Sequence, residues 1–220
     1  MDVLVVGGHG KIAQRLLQLL AQQGHTARGL IRKPEQAGDL ETRGAIPVLG
    51  DLESERSLVE HVRGADAVVF AAGAGPGSSE ERKWSVDYGG AAKLIEAAKA
   101  AGVHRYVIIS SVGADAPEQA TGTFGVYLAA KAKADEELMN SGLDWTVVRP
   151  GSLTDDPGTG RVRISTELGG RGPVPRDDVA AVLAEVLQAP HTIHALVELF
   201  GGDTPIHEAV RAVGSRPQRA

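Results

Sequence analysis

"VLVVGGHGKIAQRLLQLLAQQGHTARGLIRKP" spans Val3 to Pro34, and its reading decides the fold. An apolar strand runs into Gly7, Gly8 and Gly10, and a helix follows at once. A second apolar run, Thr26–Ile31, ends on Arg32-Lys33. Not one Asp or Glu stands between Gly7 and Pro34. Strand, glycine turn, helix and strand in that order form a β-α-β unit, and such units build parallel sheets.

The same rhythm continues to Pro150. Strand-like runs fall at Asp2–Val6, Thr26–Ile31, Ala45–Leu49, Asp66–Ala71, Arg105–Ser110 and Leu143–Arg149. They are rich in Val and Ile with little polar alternation, as strands covered on both faces are. Helical stretches lie between them at Lys11–Gln23, Pro34–Arg43, Ser54–Val62, Val86–Ala101 and Val126–Asn140. Gly102 follows the fourth of these as a C-cap. The pattern predicts a doubly wound parallel α/β sheet, a Rossmann fold. After Pro150 the chain turns glycine-rich, with a strand at Arg161–Ser165, a helix at Arg176–Leu187, a strand at Ala195–Phe200 and a helix at Pro205–Val213. Residues 1–220 read as one domain, with 151–220 as a small substrate-side lobe beside the sheet and "GSRPQRA" as a frayed end.

Composition narrows the function classes. The chain has 220 residues, 42% hydrophobic and 23% charged, as ordinary globular proteins do. A formal net charge of -5 without a basic tract argues against nucleic acid as a partner. There are no cysteines, which excludes disulfides, thiolate chemistry and cysteine-ligated zinc. No apolar run approaches the ~20 residues of a membrane span, and the first residues enter a strand without a signal-peptide pattern. A cytoplasmic protein is the expectation. Its helices could cover the sheet or a second copy, so the oligomeric state stays open.

In a doubly wound sheet, ligands settle at the carboxyl ends of the strands. The first turn lies there, and its glycines let backbone N–H groups approach a pyrophosphate at a helix N-terminus. The spacing is Gly7-x-x-Gly10-x-x-Ala13, and its place between strand and helix favours nucleotide binding over a bare tight turn. NAD-type sites place an acid about 20 residues later to hold the ribose 2′-hydroxyl. Here Arg32 and Lys33 occupy that spot, and the first acid beyond is Glu35. Two cations suit a ribose 2′-phosphate, so NADP(H) is expected in preference to NAD(H).

Tyr127 and Lys131 are four apart on a helix, and so share a face. Lys133 points elsewhere at ~100° per residue. An ammonium near a phenol favours the phenolate, and such a pair can protonate a carbonyl oxygen as hydride arrives. Taken alone, Tyr-x-x-x-Lys is an ordinary helix-surface pair. Ser110 and Ser111 end the fifth strand at the same sheet edge as the glycines, where a serine can bind the substrate oxygen.

Together these segments resemble the atypical short-chain dehydrogenase/reductases, the NAD(P)H-binding, NAD-dependent epimerase/dehydratase-like and NmrA-like branch. The carriers are "GGHGKIA", "IRKP", "GDL" (Gly50–Leu52), "AAGAG" (Ala71–Gly75), "ISSVGAD", "YLAAKAKADEEL" and "WTVVRPGSLTD", each loose but all in order. "RDDVA" (Arg176–Ala180) and "GGDTPIHEA" extend the likeness to the tail. The resemblance implies that Gly7, His9, Gly10, Lys11 and Ile12 contact the pyrophosphate, and Arg32 and Lys33 the 2′-phosphate. It implies Asp51 and Leu52 beside the adenine, with Ala71, Ala72 and Gly73 along the adenosine ribose and phosphates. Lys131 would hold the nicotinamide ribose, with Tyr127 as acid/base and Ser111, chosen over Ser110 by alignment, as its partner. Pro150, Gly151, Ser152 and Leu153 would flank the nicotinamide. Asp87 stands where extended members carry Asn, a departure that weakens the expected hydrogen-bond scaffold.

The function that follows is an NADP(H)-binding oxidoreductase moving hydride to or from a carbonyl, alcohol or sugar-like small molecule. The alternative is a non-catalytic NAD(P)H-responsive regulator, which needs the glycines and Arg32 but not Tyr127. No metal site is expected: His191-x-x-His194 lacks a third ligand cluster. Asp155-Asp156 before Pro157-Gly158 reads as turn chemistry, and Trp145 as core. The loop Gly75–Lys83, with Trp84 after it, reads equally as a lid and as plain surface.

Overall fold

Six parallel strands carry the first part of the chain: β1 (Asp2–Val6), β2 (Thr26–Ile31), β3 (Ile46–Leu49), β4 (Ala67–Phe70), β5 (Arg105–Ile109) and β6 (Asp144–Pro150). They lie in the order β6-β5-β4-β1-β2-β3. The chain reverses its direction of travel across the sheet between β1 and β4, which opens the ligand crevice at their carboxyl ends. Val3 sits opposite Ala27 on one side and Ala67 on the other. The computed structural model describes residues 1–214; residues 215–220, which hold most of the end expected to fray, lie outside the described residues.

Between the strands run α1 (Lys11–Gln22), α2 (Ala37–Glu41), α3 (Val59–Val62), α4 (Glu80–Arg82), α5 (Ala91–Ala101) and α6 (Gly122–Met139). Val3 to Val6 are all fully buried. Val3 and Val5 join the core packed under α1, while Leu4 and Val6 join the one under α5. Each such side chain contributes roughly 1.5–3 kcal/mol of transfer free energy, which is why both faces must be apolar. α5 ends on Gly102 in the left-handed conformation at φ 70°, as its C-cap role requires.

The remaining elements are β7 (Ser152–Thr154), β8 (Arg161–Ser165), β9 (Pro173–Pro175), α7 (Arg176–Leu187), β10 (Ala195–Gly201), β11 (Thr204–Pro205) and α8 (Ile206–Arg211). β10 pairs parallel with β6, and β8 and β11 follow antiparallel, so these strands continue the central sheet to nine. Only the two-stranded β7–β9 ribbon forms a separate sheet. The segment after Pro150 is therefore mostly an extension of the sheet, not a lobe beside it. The apolar strand β10 found an unpaired edge at β6, and pairing there satisfies its backbone. Arg105, at the start of β5, donates to Thr146 Oγ1, Thr192 Oγ1 and the carbonyls of Asp144 and Val186. Burial pushes this guanidinium down to about 10.

Three elements differ from expectation. Helix 54–62 shrinks to α3, because the polar run Glu53–Ser57 has little to bury. The segment Pro34–Arg43 is a 3-10 turn, Pro34–Gln36, followed by α2. The expected loop up to Lys83 becomes helical at Glu80, where Ser79 Oγ accepts the Arg82 N–H. The chain then widens into a π-helical stretch, Lys83–Gly90, before α5.

Candidate functional site

The glycine turn builds the floor of the site. Gly7 holds φ 84°, and a Cβ there would lie 2.7 Å from the Cα of Ala72. Only glycine lets the turn close against the loop after β4. The Gly8 N–H bonds the Leu30 carbonyl at 2.8 Å, which fixes the turn to β2. α1 starts at Gly10 with no side-chain cap and no acid in its first turn. Its first N–H groups therefore have no intrahelical acceptor and present positive partial charge.

Two cavities meet over this floor and share Ala71, Ala72 and Gly73. The smaller, 350 Å³, is lined by Gly7, His9, Gly10, Arg32, Asp51 and Leu52 among others. The larger, 820 Å³, is lined by Ile12, Ser111, Tyr127, Lys131 and the run Pro150, Gly151, Ser152 and Leu153. Two of the expected residues stand off the groove. Lys11 instead donates to Asp155 Oδ2 at 2.6 Å, and Lys33 lies 3.8 Å from Glu35.

The smaller cavity is not free of acid. Glu53, from the segment after β3, stands 3.5 Å from Arg32 and 2.7 Å from Arg82. The Arg82 hydrogen bond holds the Glu53 carboxyl below its usual range against the opposing effect of burial. Thus the acid missing from the end of β2 is supplied by a distant part of the chain. His9 is paired with Asp39 at 2.8 Å. Asp155 bridges Lys11 and Arg176, the latter at 2.9 Å, and the Lys11 hydrogen bond holds its carboxyl low. Asp155 is thus an ion-pair partner of both cations.

At the larger cavity, α6 presents Tyr127 and Lys131 on one face. Lys131 is 3% exposed; its ammonium donates to the Ile109 carbonyl at 3.1 Å and lies 3.3 Å from Asp87 Oδ1. Asp87 is fully buried and takes the Ala74 N–H at 3.0 Å. Asp87 thus places a countercharge beside Lys131 and an acceptor beneath the Ala74 N–H. The two serines have different environments. Ser110 is buried and donates to Asp135 Oδ2 at 2.7 Å, whereas Ser111 is only partly buried and bonds the Val112 carbonyl at 3.1 Å. Burial raises the Asp135 carboxyl, opposed by Arg149 and the Ser110 hydroxyl. Ser110 is committed to that buried network, and both serines line the cavity.

Several lining residues escaped the sequence reading. Lys83, placed in a loop, projects from the π-helical stretch; it is 7% exposed and donates to the Gly75 carbonyl at 2.6 Å. Phe124 stacks on Tyr127 with ring centroids 5.9 Å apart. Arg171, Arg176 and Phe200 complete the far wall. Gly169 and Gly170 hang there by their N–H groups from the fully buried carboxylate of Glu198, at 3.0 and 2.7 Å. A single acid inside the apolar strand "ALVELF" was the available signal, since a buried carboxylate demands partners. Of the features set aside, His191 bonds the Val210 carbonyl and His194 packs on the partly buried Trp145. Trp84 is 43% exposed and meets Tyr88 edge-on. Among the described residues no three metal-ligating side chains converge, and no helix is long and apolar enough to cross a membrane.

Residues 7–190 match a protein family described as NAD(P)H-binding. The chain belongs to that family. Within it the chain falls among the atypical short-chain dehydrogenase/reductases, of epimerase-like and NmrA-like type. YhfK of Bacillus subtilis, described as an uncharacterized sugar epimerase, is 39% identical over 96% of this chain and 99% of its own. A solved structure from Bacillus halodurans, provisionally assigned as an NAD-dependent epimerase/dehydratase, is 40% identical with a TM-score of 0.92, covering 96% of this chain and 99% of the other. The oxidoreductase ylbE of Lactococcus lactis is 27% identical with a TM-score of 0.85, over the full length of both chains. The Rossmann-type sheet and the oxidoreductase-like character of the family are thus established for this chain.

Proposed function

We propose that the chain is an NADP(H)-dependent oxidoreductase acting on a carbonyl, alcohol or sugar-like small molecule. One observation carries the reading: the cavity holding Ser111, Tyr127 and Lys131 shares a wall with the one formed by the glycine turn and Arg32. A dinucleotide laid along both would bring its nicotinamide to the tyrosine. The donor chemistry fits it: uncapped N–H groups at the start of α1, cations at Arg32 and Arg82, and the backbone of Ala71–Gly73.

When bound, the nicotinamide supplies or accepts the hydride; the chain moves the proton. In the reducing direction the Tyr127 hydroxyl donates its proton to the substrate oxygen, and Ser111 Oγ hydrogen-bonds that oxygen. Lys131, held by Asp87 and the Ile109 carbonyl, keeps positive charge beside the ring as the phenolate forms. Preference for NADP(H) rests on the planar donor forks of Arg32 and Arg82, which stand with Asp51 and Glu53 on the lining of the smaller cavity. Glu53 also favours a second reading, in which it accepts the 2′-hydroxyl of NAD(H).

Calorimetric titration with NADPH and NADH separates the two. Under the proposal NADPH binds at least about tenfold more tightly, the effect of one charge-assisted contact. Tyr127→Phe keeps that affinity and loses about two orders of magnitude in turnover. Unchanged turnover would remove Tyr127 from the chemistry.

A further inference from the structure

The larger cavity carries unmatched positive charge. Its ionisable lining is Lys83, Asp87, Lys131, Arg171 and Arg176. Asp87 and Lys131 answer each other at 3.3 Å, and Arg176 is answered by Asp155 at 2.9 Å. Lys83 and Arg171 have no carboxylate partner among the described residues. Every acid on the wall is matched, while two cations are not.

Lys83 is the informative one. It is 7% exposed, and its ammonium sits 2.6 Å from the Gly75 carbonyl and 5.5 Å from the centre of the Tyr127 ring. A carbonyl satisfies a donor but leaves the charge unanswered. A buried ammonium without a countercharge is unfavourable, and a ligand that brings the charge removes the penalty. The wall also carries apolar surface: Phe124 is 58% exposed where it stacks on Tyr127, and Leu153 is 37% exposed on the same lining.

We infer that the substrate is an organic carboxylate, its charged group held by Lys83 and Arg171 and its apolar body lying against Phe124 and Leu153. Two cations favour an anionic group, and the planar guanidinium can take both oxygens of a carboxylate while the ammonium adds a further donor. This rests on the reading of the larger cavity as the substrate side. Lys83 and Arg171 thereby set which carbonyl compounds reach Tyr127.

The test is calorimetric titration of the NADP⁺-saturated protein with 2-naphthoate and with 2-naphthamide, which differ in charge but little in shape. 2-Naphthoate is expected to bind at least about tenfold more tightly, with Lys83→Gln and Arg171→Gln each removing about tenfold of that and leaving 2-naphthamide unmoved. Arg171 is exposed, so its variant stays informative if Lys83→Gln fails to fold. Equal binding of the two probes, binding of neither, or an Arg171→Gln protein as discriminating as the parent would overturn the inference. So would a Lys83→Gln protein that loses NADP⁺ affinity alone, because the missing charge would then be a cofactor phosphate. Repeating the titration without dinucleotide keeps the two proposals apart. Charge-dependent naphthoate binding in a protein that ignores NADPH sinks the oxidoreductase reading and leaves the anion site standing.

Discussion

Replacing Asp87 by Asn tests how the Lys131 ammonium is held. The substitution keeps an acceptor for the Ala74 N–H but removes the countercharge 3.3 Å from the ammonium. At an effective dielectric of about 20, that separation corresponds to a gross attraction of about 5 kcal/mol. The Ile109 carbonyl, 3.1 Å away, still accepts from Lys131 and softens the loss. Breaking a buried pair on one side costs about 3–5 kcal/mol, and the surviving hydrogen bond places Asp87→Asn near about 3. For a chain of this size that lowers Tm by roughly 6–12 °C. Urea unfolding of Asp87→Asn, Lys131→Met and the double variant closes a mutant cycle, with an expected coupling of about 2–3 kcal/mol. A coupling below about 0.5 kcal/mol would show that the two groups do not hold each other, and the account of Asp87 as a countercharge would fall.

Two further outcomes follow from the geometry. Gly7→Ala forces φ 84° on a residue with a Cβ, 2.7 Å from the Ala72 backbone; it should cost about 1–3 kcal/mol in thermal unfolding and weaken NADPH binding, and an unchanged Tm would refute the close approach. Glu53 has a depressed carboxyl relative to its ordinary 4.5, so its contribution is present above that pH and is lost as pH falls through the lower native value. Glu53→Gln should therefore be less stable than the parent at neutral pH and converge with it in acid; a gap that widens below about pH 4.5 would contradict the Arg82 pairing.

The parallel strands were legible because buried strands read as continuous apolar runs; β1 and β2 fall where Asp2–Val6 and Thr26–Ile31 placed them, and the antiparallel β8 coincides with Arg161–Ser165 as well. The residues expected at the site are mostly on the groove for a similar reason, since they follow strand ends and the topology gathers those ends on one edge. Lys83 was not legible. Its burial depends on how the stretch Lys83–Gly90 packs against α6, and no local propensity announces that packing. Glu53 and Arg82 were hidden for another reason. They meet at Arg32 only through tertiary placement, so counting acids along β2 could not find them. The tail misled because "ALVELF" reads as a strand without saying which edge it joins.

Glu198 has a consequence for how this site could change over time. The wall bearing Arg171 hangs from a carboxylate in the sheet interior by two backbone N–H groups, those of Gly169 and Gly170. A wall attached through its main chain does not depend on its own side chains for its position. Gly170 itself is fixed, since a Cβ there would meet Phe200 at 2.7 Å, but an exposed side chain such as Arg171 can be exchanged, altering what the cavity accepts while the scaffold and the proton-transfer groups stay in place. Substrate range is in that sense a replaceable part, and Glu198 is the fastening that makes the replacement possible.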